Sequence, residues 1–258
     1  MIPSPKIALH HLDVSSIDMS KALSDPNKSF TLVYWEIVSV GGTARDMLAF
    51  STKSWKSEHP TLEEWKGKEV ATPLSYFPVL KVRASTGQEV VLAEAMVIDI
   101  YLAEEFGLLG DNKYEELTIK AFNSSSHFLM ERFFRLLAST AERKQNIETF
   151  IDIFLPKFIY DHEFHLRNNG NNGHYVGSKL SLADIHLANV VHLFQTMPFG
   201  KRIDDVFSKS EPICKVVATV LANPEIAAWR NSDEFKRLEK CSHKWYAPFT
   251  IADSSTEE

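Results

Sequence analysis

"SYFPVLKVRASTGQEVVLAEAMVIDIYLAEEFGLLG", residues 75–110, holds two short apolar runs around a turn, then a longer run with helical spacing. Phe77–Val82 and Glu89–Leu92 read as two strands, and "RASTGQ" between them makes the pair a hairpin. "AMVIDIYLAEEFG" is an amphipathic helix that Gly107 closes at its C-terminal cap. Pro78 cannot donate to a sheet ladder, so it belongs at the start or edge of its strand.

Upstream, "FTLVYWEI" (30–37) is β-branched and aromatic and reads as a strand. "SVGGTARDMLAFSTKSW" supplies a glycine turn and then a helical pattern through Met47, Leu48 and Phe50. "EHPTLEEWKGKEVATPLSY" has little periodicity and reads as a loop. The first 28 residues are polar and turn-rich, an extension more than a core segment. Past residue 110 the character changes. "KYEELTIKAFNSSSHFLMERFFRLLAST" and "QNIETFIDIFLPKFIYDHEFHLR" are two long helical patterns, and "SLADIHLANVVHLFQ" is a buried helix. Ser181 with Asp184 three residues later is a helix-start signal. A mixed α/β half therefore precedes an all-helical half. The expected division is 1–28 extension, 29–110 α/β domain, 111–245 helical domain and 246–258 tail.

Bulk properties narrow the function. The chain has 258 residues, 44% hydrophobic and 24% charged, an ordinary globular balance. A formal net charge of -6 argues against a nucleic-acid surface. No apolar run is long enough to span a membrane, and the N-terminus lacks a signal-peptide pattern, so a cytoplasmic protein is expected. Cys214 and Cys241, the two cysteines, suggest a reducing compartment. His162, Glu163 and His165 do not make the i, i+4 pair of a metal-binding helix and read as a polar face, so no metal is expected. The stripe Phe128, Phe133, Phe134 at helical spacing reads mostly as core, with part of it a candidate lining for an apolar pocket between the domains. His10-His11 is a solvated pair.

With its order of elements, "FPVLKV…VLAEAMVIDIYLAEEFGLLG" and "HYVGSKLSLADIHLANVV", the chain resembles the cytosolic glutathione transferase family over residues 30–240. Trp65, thirteen residues before Pro78, and Tyr34 after the first strand make the resemblance closest to the sigma class. It implies a thioredoxin-like N-terminal domain followed by an all-α domain, with a cis bond before Pro78. It also implies a homodimer, cytoplasmic and detoxifying, that joins the glutathione thiol to an apolar electrophile or runs a related isomerase or peroxidase reaction. Glutathione is then the substrate in place of a bound cofactor. Tyr34 is the implied catalytic residue, because a phenol O–H stabilises the thiolate. Strand alternation lets only one of Tyr34 and Trp35 face the site. The implied glutathione-binding residues are Trp65, Phe77, Pro78, Glu94 and Ala95, with Arg45 or Thr43 supporting the tyrosine. Three positions depart from the pattern. Ala95 lacks the hydroxyl that holds the glutamyl carboxylate, Glu69 stands where a lysine meets the glycyl carboxylate, and Lys120 falls where the partner subunit sends an acid. Those departures support the alternative of a catalytically weak binding, scaffold or storage protein, with partner contacts in the extension and the tail "IADSSTEE".

Overall fold

The computed structural model of the protein describes residues 9–12, 17–139 and 141–250. The chain divides into two units, Met1–Phe106 and Gly107–Glu258. Residues 1–8 and 13–16 of the expected extension, and the tail segment 251–258, lie outside the described residues.

The first unit runs α1 (Ile17–Leu23), β1 (Ser29–Val33), α2 (Gly42–Phe50), β2 (Trp55–Glu58), α3 (Leu62–Lys66), β3 (Val79–Arg83), β4 (Glu89–Ala93) and α4 (Ala95–Glu105). Its four strands stand in the order β2-β1-β3-β4. β2 is parallel to β1, while β3 is antiparallel to both β1 and β4. Leu32, Leu80 and Val82 from the sheet and Ile98 and Leu102 from α4 are wholly buried, and Phe30 meets Phe106 edge-on at 5.7 Å. Removing five such aliphatic side chains from water accounts for roughly 1.5–3 kcal/mol each.

Three readings change here. The first strand ends at Val33, four residues before the end of its β-prone run, because the backbone beyond it is turned around a buried arginine. The segment 58–76, read as a loop, contains α3, and β2 just before it was not anticipated. Thr61 and Glu64 close a reciprocal capping box at the start of α3, the threonine oxygen accepting Glu64 N–H at 3.1 Å and the glutamate accepting Thr61 N–H at 2.7 Å. Residues 17–28, read as part of an extension, carry α1 and are tied to the hairpin. The Asp25 carboxylate accepts both the N–H and the Oγ–H of Ser85 at 2.6 Å, and buried Lys28 pairs with Glu105 at 2.7 Å.

The second unit is helical: α5 (Lys113–Ala138), α6 (Arg143–Thr149), a widened π turn (Phe150–Phe154), α7 (Leu155–Asn168), α8 (Leu182–Gln195), α9 (Gly200–Phe207), α10 (Glu211–Leu221), α11 (Pro224–Arg230) and α12 (Asp233–Tyr246). Phe133 at its centre lies 4.9 Å from Phe150 and 4.8 Å from Phe194, ring to ring. Phe128, in contrast, is exposed beneath Arg132. The second long helical pattern is not one uniform helix. Its buried series Ile147, Ile151, Leu155, Phe158, His162, Leu166 covers five turns in nineteen residues. Regular α-helix needs eighteen for five turns, and the π turn absorbs the extra one. α8 starts at the expected cap: Asp184, wholly buried, accepts the N–H groups of Ser181 at 2.9 Å and Tyr175 at 2.8 Å.

Burial also sets charge states. His162 and His186 are buried and His192 is largely so, and desolvation of the imidazolium holds each at about 3. In the first unit, Asp99 on α4 has neither carboxyl oxygen hydrogen-bonded among the described residues, and burial raises it well above the usual carboxylate range. A buried neutral histidine stabilises the fold above its unfolded value of about 6.5, and that contribution drains away as pH falls from there toward 3. Between pH 7.5 and 5.5 each such group should cost about 1.4 kcal/mol. Urea unfolding of His186→Gln should therefore show a pH 7.5-to-5.5 loss smaller than the parent's by about that amount. Equal losses would mean the imidazole titrates freely in the fold.

Candidate active site

Strand register brings the candidate residues together. Val33 pairs with Glu58 on one side and with Val79 on the other, and Val79 pairs with Ala93. One row across the sheet therefore reads Glu58, Val33, Val79, Ala93. The residues just beyond that row, Tyr34, Pro78 and Glu94, leave the same end of the sheet. The Phe77–Pro78 bond is cis. Among the described residues, the main-chain N–H and C=O of Phe77 have no backbone partner.

Tyr34 is held on every side. Its N–H donates to Glu58 C=O at 3.1 Å, and its C=O lies 3.1 Å from His59 Nδ1. The ring is buried against Gly41, where an added Cβ would come within 2.7 Å of Cδ1, so no other residue fits there without movement. The phenol oxygen is hydrogen-bonded to the Ser39 side chain and the Val40 backbone. Burial raises the phenol above its usual value against those bonds and the nearby Arg45 charge, so it is a neutral O–H at physiological pH.

Of the two candidates to support the tyrosine, Arg45 has visible geometry. It is 1% exposed and its Cζ stands 5.6 Å from the Tyr34 ring centre. Nη1 donates to Ile37 C=O at 2.7 Å and Val38 C=O at 3.4 Å, Nη2 to Trp35 C=O at 3.3 Å, and Nε to Ser57 Oγ at 3.3 Å. This one guanidinium gathers three carbonyls of the segment that follows β1.

Trp35 turns the other way from Tyr34 and joins two candidates instead. Its ring meets Trp65 edge-on at 5.8 Å and Phe77 at 5.0 Å, and Trp65 lies 4.7 Å from Phe77. By strand alternation Trp35 is only a rival of Tyr34; its aromatic neighbours come from α3 and the β3 approach, which no local pattern links. At the start of α4, Glu94 is exposed at φ 71, a conformation unfavourable for a residue with a Cβ, and makes no side-chain cap bond. Buried Ala95 follows, its N–H without a backbone partner among the described residues. Lys66, Lys68 and Glu69 are exposed after Trp65. Lys120, in the helical unit, pairs with Glu116 at 2.5 Å.

A family profile described as "Glutathione S-transferase, C-terminal domain" matches residues 128–233. The chain is similar to glutathione transferases well beyond that segment. A probable glutathione S-transferase of Caenorhabditis elegans is 25% identical over 206 residues, 78% of this chain and 95% of the nematode protein. The structure of a prostaglandin synthase D of Nilaparvata lugens superposes with a TM-score of 0.69 at 24% identity, covering 80% of this chain and 98% of that one. A monomeric glutathione S-transferase of the hookworm Necator americanus gives a TM-score of 0.66 at 20% identity, covering 78% and 95%.

The helical unit has a cavity of its own. About 530 Å³ opens between α5 and α7, lined by Tyr114, Leu117, Phe122, Ser125, His162 and Tyr175 among others. His162 Nδ1 is 2.5 Å from the Tyr175 hydroxyl and Nε2 is 3.0 Å from Ser125 Oγ. Both ring nitrogens are thus engaged within the protein, and a base held at about 3 is a poor proton acceptor. Among the described residues no group of three or more His, Cys, Asp or Glu could hold a metal, and no helix is long and apolar enough to cross a membrane.

Arg45→Ala strands the three carbonyls and empties a buried site. A loss of about 3 kcal/mol or more in urea unfolding is expected, with only part recovered in Arg45→Lys, whose ammonium cannot reproduce the planar fork. A loss under about 0.5 kcal/mol would show that the segment is held without it.

Proposed function

We propose that this chain is a sigma-like glutathione transferase, in which glutathione lies along the main chain of Phe77 and over the first turn of α4. The convergence of Tyr34, Phe77–Pro78 and Glu94–Ala95 on one sheet end carries the reading. Tyr34 and Ala95 continue strands two positions apart in the sheet, roughly 10 Å, and an extended tripeptide spans about the same distance. The open N–H and C=O of Phe77 pair with the cysteinyl residue as a strand pairs with an edge. N–H groups at the start of α4 receive the γ-glutamyl carboxylate, and the Trp65 indole flanks the peptide.

The sulfur then lies at Tyr34. A free thiol titrates near 8.5, so most of it is protonated at neutral pH. The neutral phenol donates to the sulfur and favours the thiolate; the thiol proton leaves to water, and the thiolate attacks an apolar electrophile. Ala95 and Glu69 favour a weaker second reading, a transferase-fold protein that binds or organises other molecules. Without the hydroxyl at residue 95 affinity falls by about ten- to two-hundredfold, which weakens binding without removing it.

A cytoplasmic homodimer completes the proposal. Exposed Tyr114 and Leu117 on α5 and Tyr160 and Phe164 on α7 gather apolar surface near the helical cavity, as a self-association face does. Sedimentation should give twice the chain mass; a monomer at micromolar concentration would remove that part.

Conjugation to a chromogenic aryl halide should be present in the parent and fall at least tenfold in Tyr34→Phe at pH 6.5, with glutathione affinity nearly unchanged. Ala95→Ser should tighten glutathione by about tenfold or more in calorimetry. No heat of binding from either protein would turn the assignment toward the scaffold reading.

A further inference from the structure

The cavity between α5 and α7 plays no part in the transferase reading, and most of its polar groups are committed to one another. Its volume of about 530 Å³ falls within the roughly 300–1,000 Å³ of small-molecule sites. Leu117, Ala121 and Phe122 give it an apolar wall, and Phe122 stacks on Tyr175 with ring centres 4.5 Å apart. Thr118 Oγ1 donates to Tyr114 C=O at 2.8 Å, and the Asp161 carboxylate accepts from Lys157 Nζ at 2.6 Å. His165 is exposed and lies edge-on to Phe122.

The rest of the polar lining is a chain of three groups. Tyr175 OH is 2.5 Å from His162 Nδ1, and Ser125 Oγ is 3.0 Å from His162 Nε2. His162 and Tyr175 are both buried, and burial keeps each in its neutral form. A neutral imidazole carries one hydrogen, so the ring gives one of these bonds and receives the other. With that hydrogen on Nδ1, the ring would donate to Tyr175, and the phenol hydrogen would need an acceptor elsewhere. Tyr175 is 3% exposed, and among the described residues its hydroxyl has no partner besides His162. A buried O–H without an acceptor is costly, so the phenol donates to Nδ1 and the imidazole hydrogen sits on Nε2. Nε2–H then donates to Ser125 Oγ. Ser125 is exposed, and among the described residues its Oγ has no second bond, not even to the carbonyl one turn back. The serine hydrogen is left for the cavity.

We propose that this cavity binds a neutral, flat aromatic molecule bearing a carbonyl-type acceptor, to which Ser125 Oγ–H donates while Phe122 and Leu117 cover the rings. Two features select this class. A donor into Ser125 Oγ polarises its O–H and strengthens the bond that it gives. Asp161 is among the described lining residues and no lysine or arginine is, so an anion finds no countercharge there. The site is built from one chain and needs neither turnover nor glutathione.

Fluorenone and fluorene, the same tricyclic frame with and without the carbonyl, are suitable probes. The full-length protein should bind fluorenone in equilibrium dialysis. Ser125→Ala, a change that suits a helix, should weaken fluorenone about three- to tenfold and leave fluorene within about twofold. Ala121→Trp, at an exposed lining position, should remove binding of both by filling the cavity. Equal weakening of the two probes by Ser125→Ala, or none, overturns the donor assignment. Fluorenone binding undiminished by Ala121→Trp overturns the site. A second readout needs no ligand. In protein labelled with ¹⁵N-histidine, the His162 ring signals, identified by their loss in His162→Gln, should show Nε2 protonated and Nδ1 bare at pH 7.5. The opposite tautomer would direct the Ser125 hydrogen onto the ring and sink the proposal. Failure of the parent protein to bind fluorenone does the same, and neither result bears on conjugation at Tyr34.

Discussion

A guanidinium shut away from water must find hydrogen-bond acceptors, and the first unit is arranged around that requirement. Arg45 has five donors and almost no solvent exposure, so the backbone after β1 bends to bring it carbonyl oxygens. That bend ends the strand at Val33 even though the β-branched and aromatic residues continue. It also separates neighbours: Tyr34 goes into the cradle formed by Ser39, Val40 and Gly41, and Trp35 goes out to Trp65 and Phe77. The sheet's register then places the start of α4 two strands away. Without the arginine, Tyr34 would be one more strand residue.

What could be read from the sequence was what local patterns encode. The hairpin at 79–93, α4 with its glycine stop, and the Ser181–Asp184 cap each depend on residues close in the chain, and each formed near its expected place. The Thr61–Glu64 box was equally local, and the three-residue step from threonine to glutamate in "TLEE" was the signal that could have found α3. β2 had no such signal. "WKSE" is polar and short, and becomes a strand only because β1 offers it a parallel edge.

The candidate site was legible in type more than in arrangement. Tyr34, Phe77, Pro78, Glu94 and Ala95 were named through family spacing, and the register brings them to one sheet end, while Trp65 meets them from α3 through its ring contact with Phe77. The choice between Arg45 and Thr43 needed three dimensions, since both lie near the start of α2. Ser39 was invisible for a more basic reason: a positive φ in a non-glycine residue is imposed by tertiary contacts and leaves no trace in composition or periodicity.

The π turn at Phe150–Phe154 has a further implication, for how the helical half tolerates change in length. Removing one residue inside that turn would restore an even pitch and leave both flanking segments facing inward. The same removal near His162 would swing Leu166 about 100° around the axis and carry an oily side chain toward solvent. Natural drift in the length of this rod therefore has one permissive address, and its neighbours on either side are closed to it.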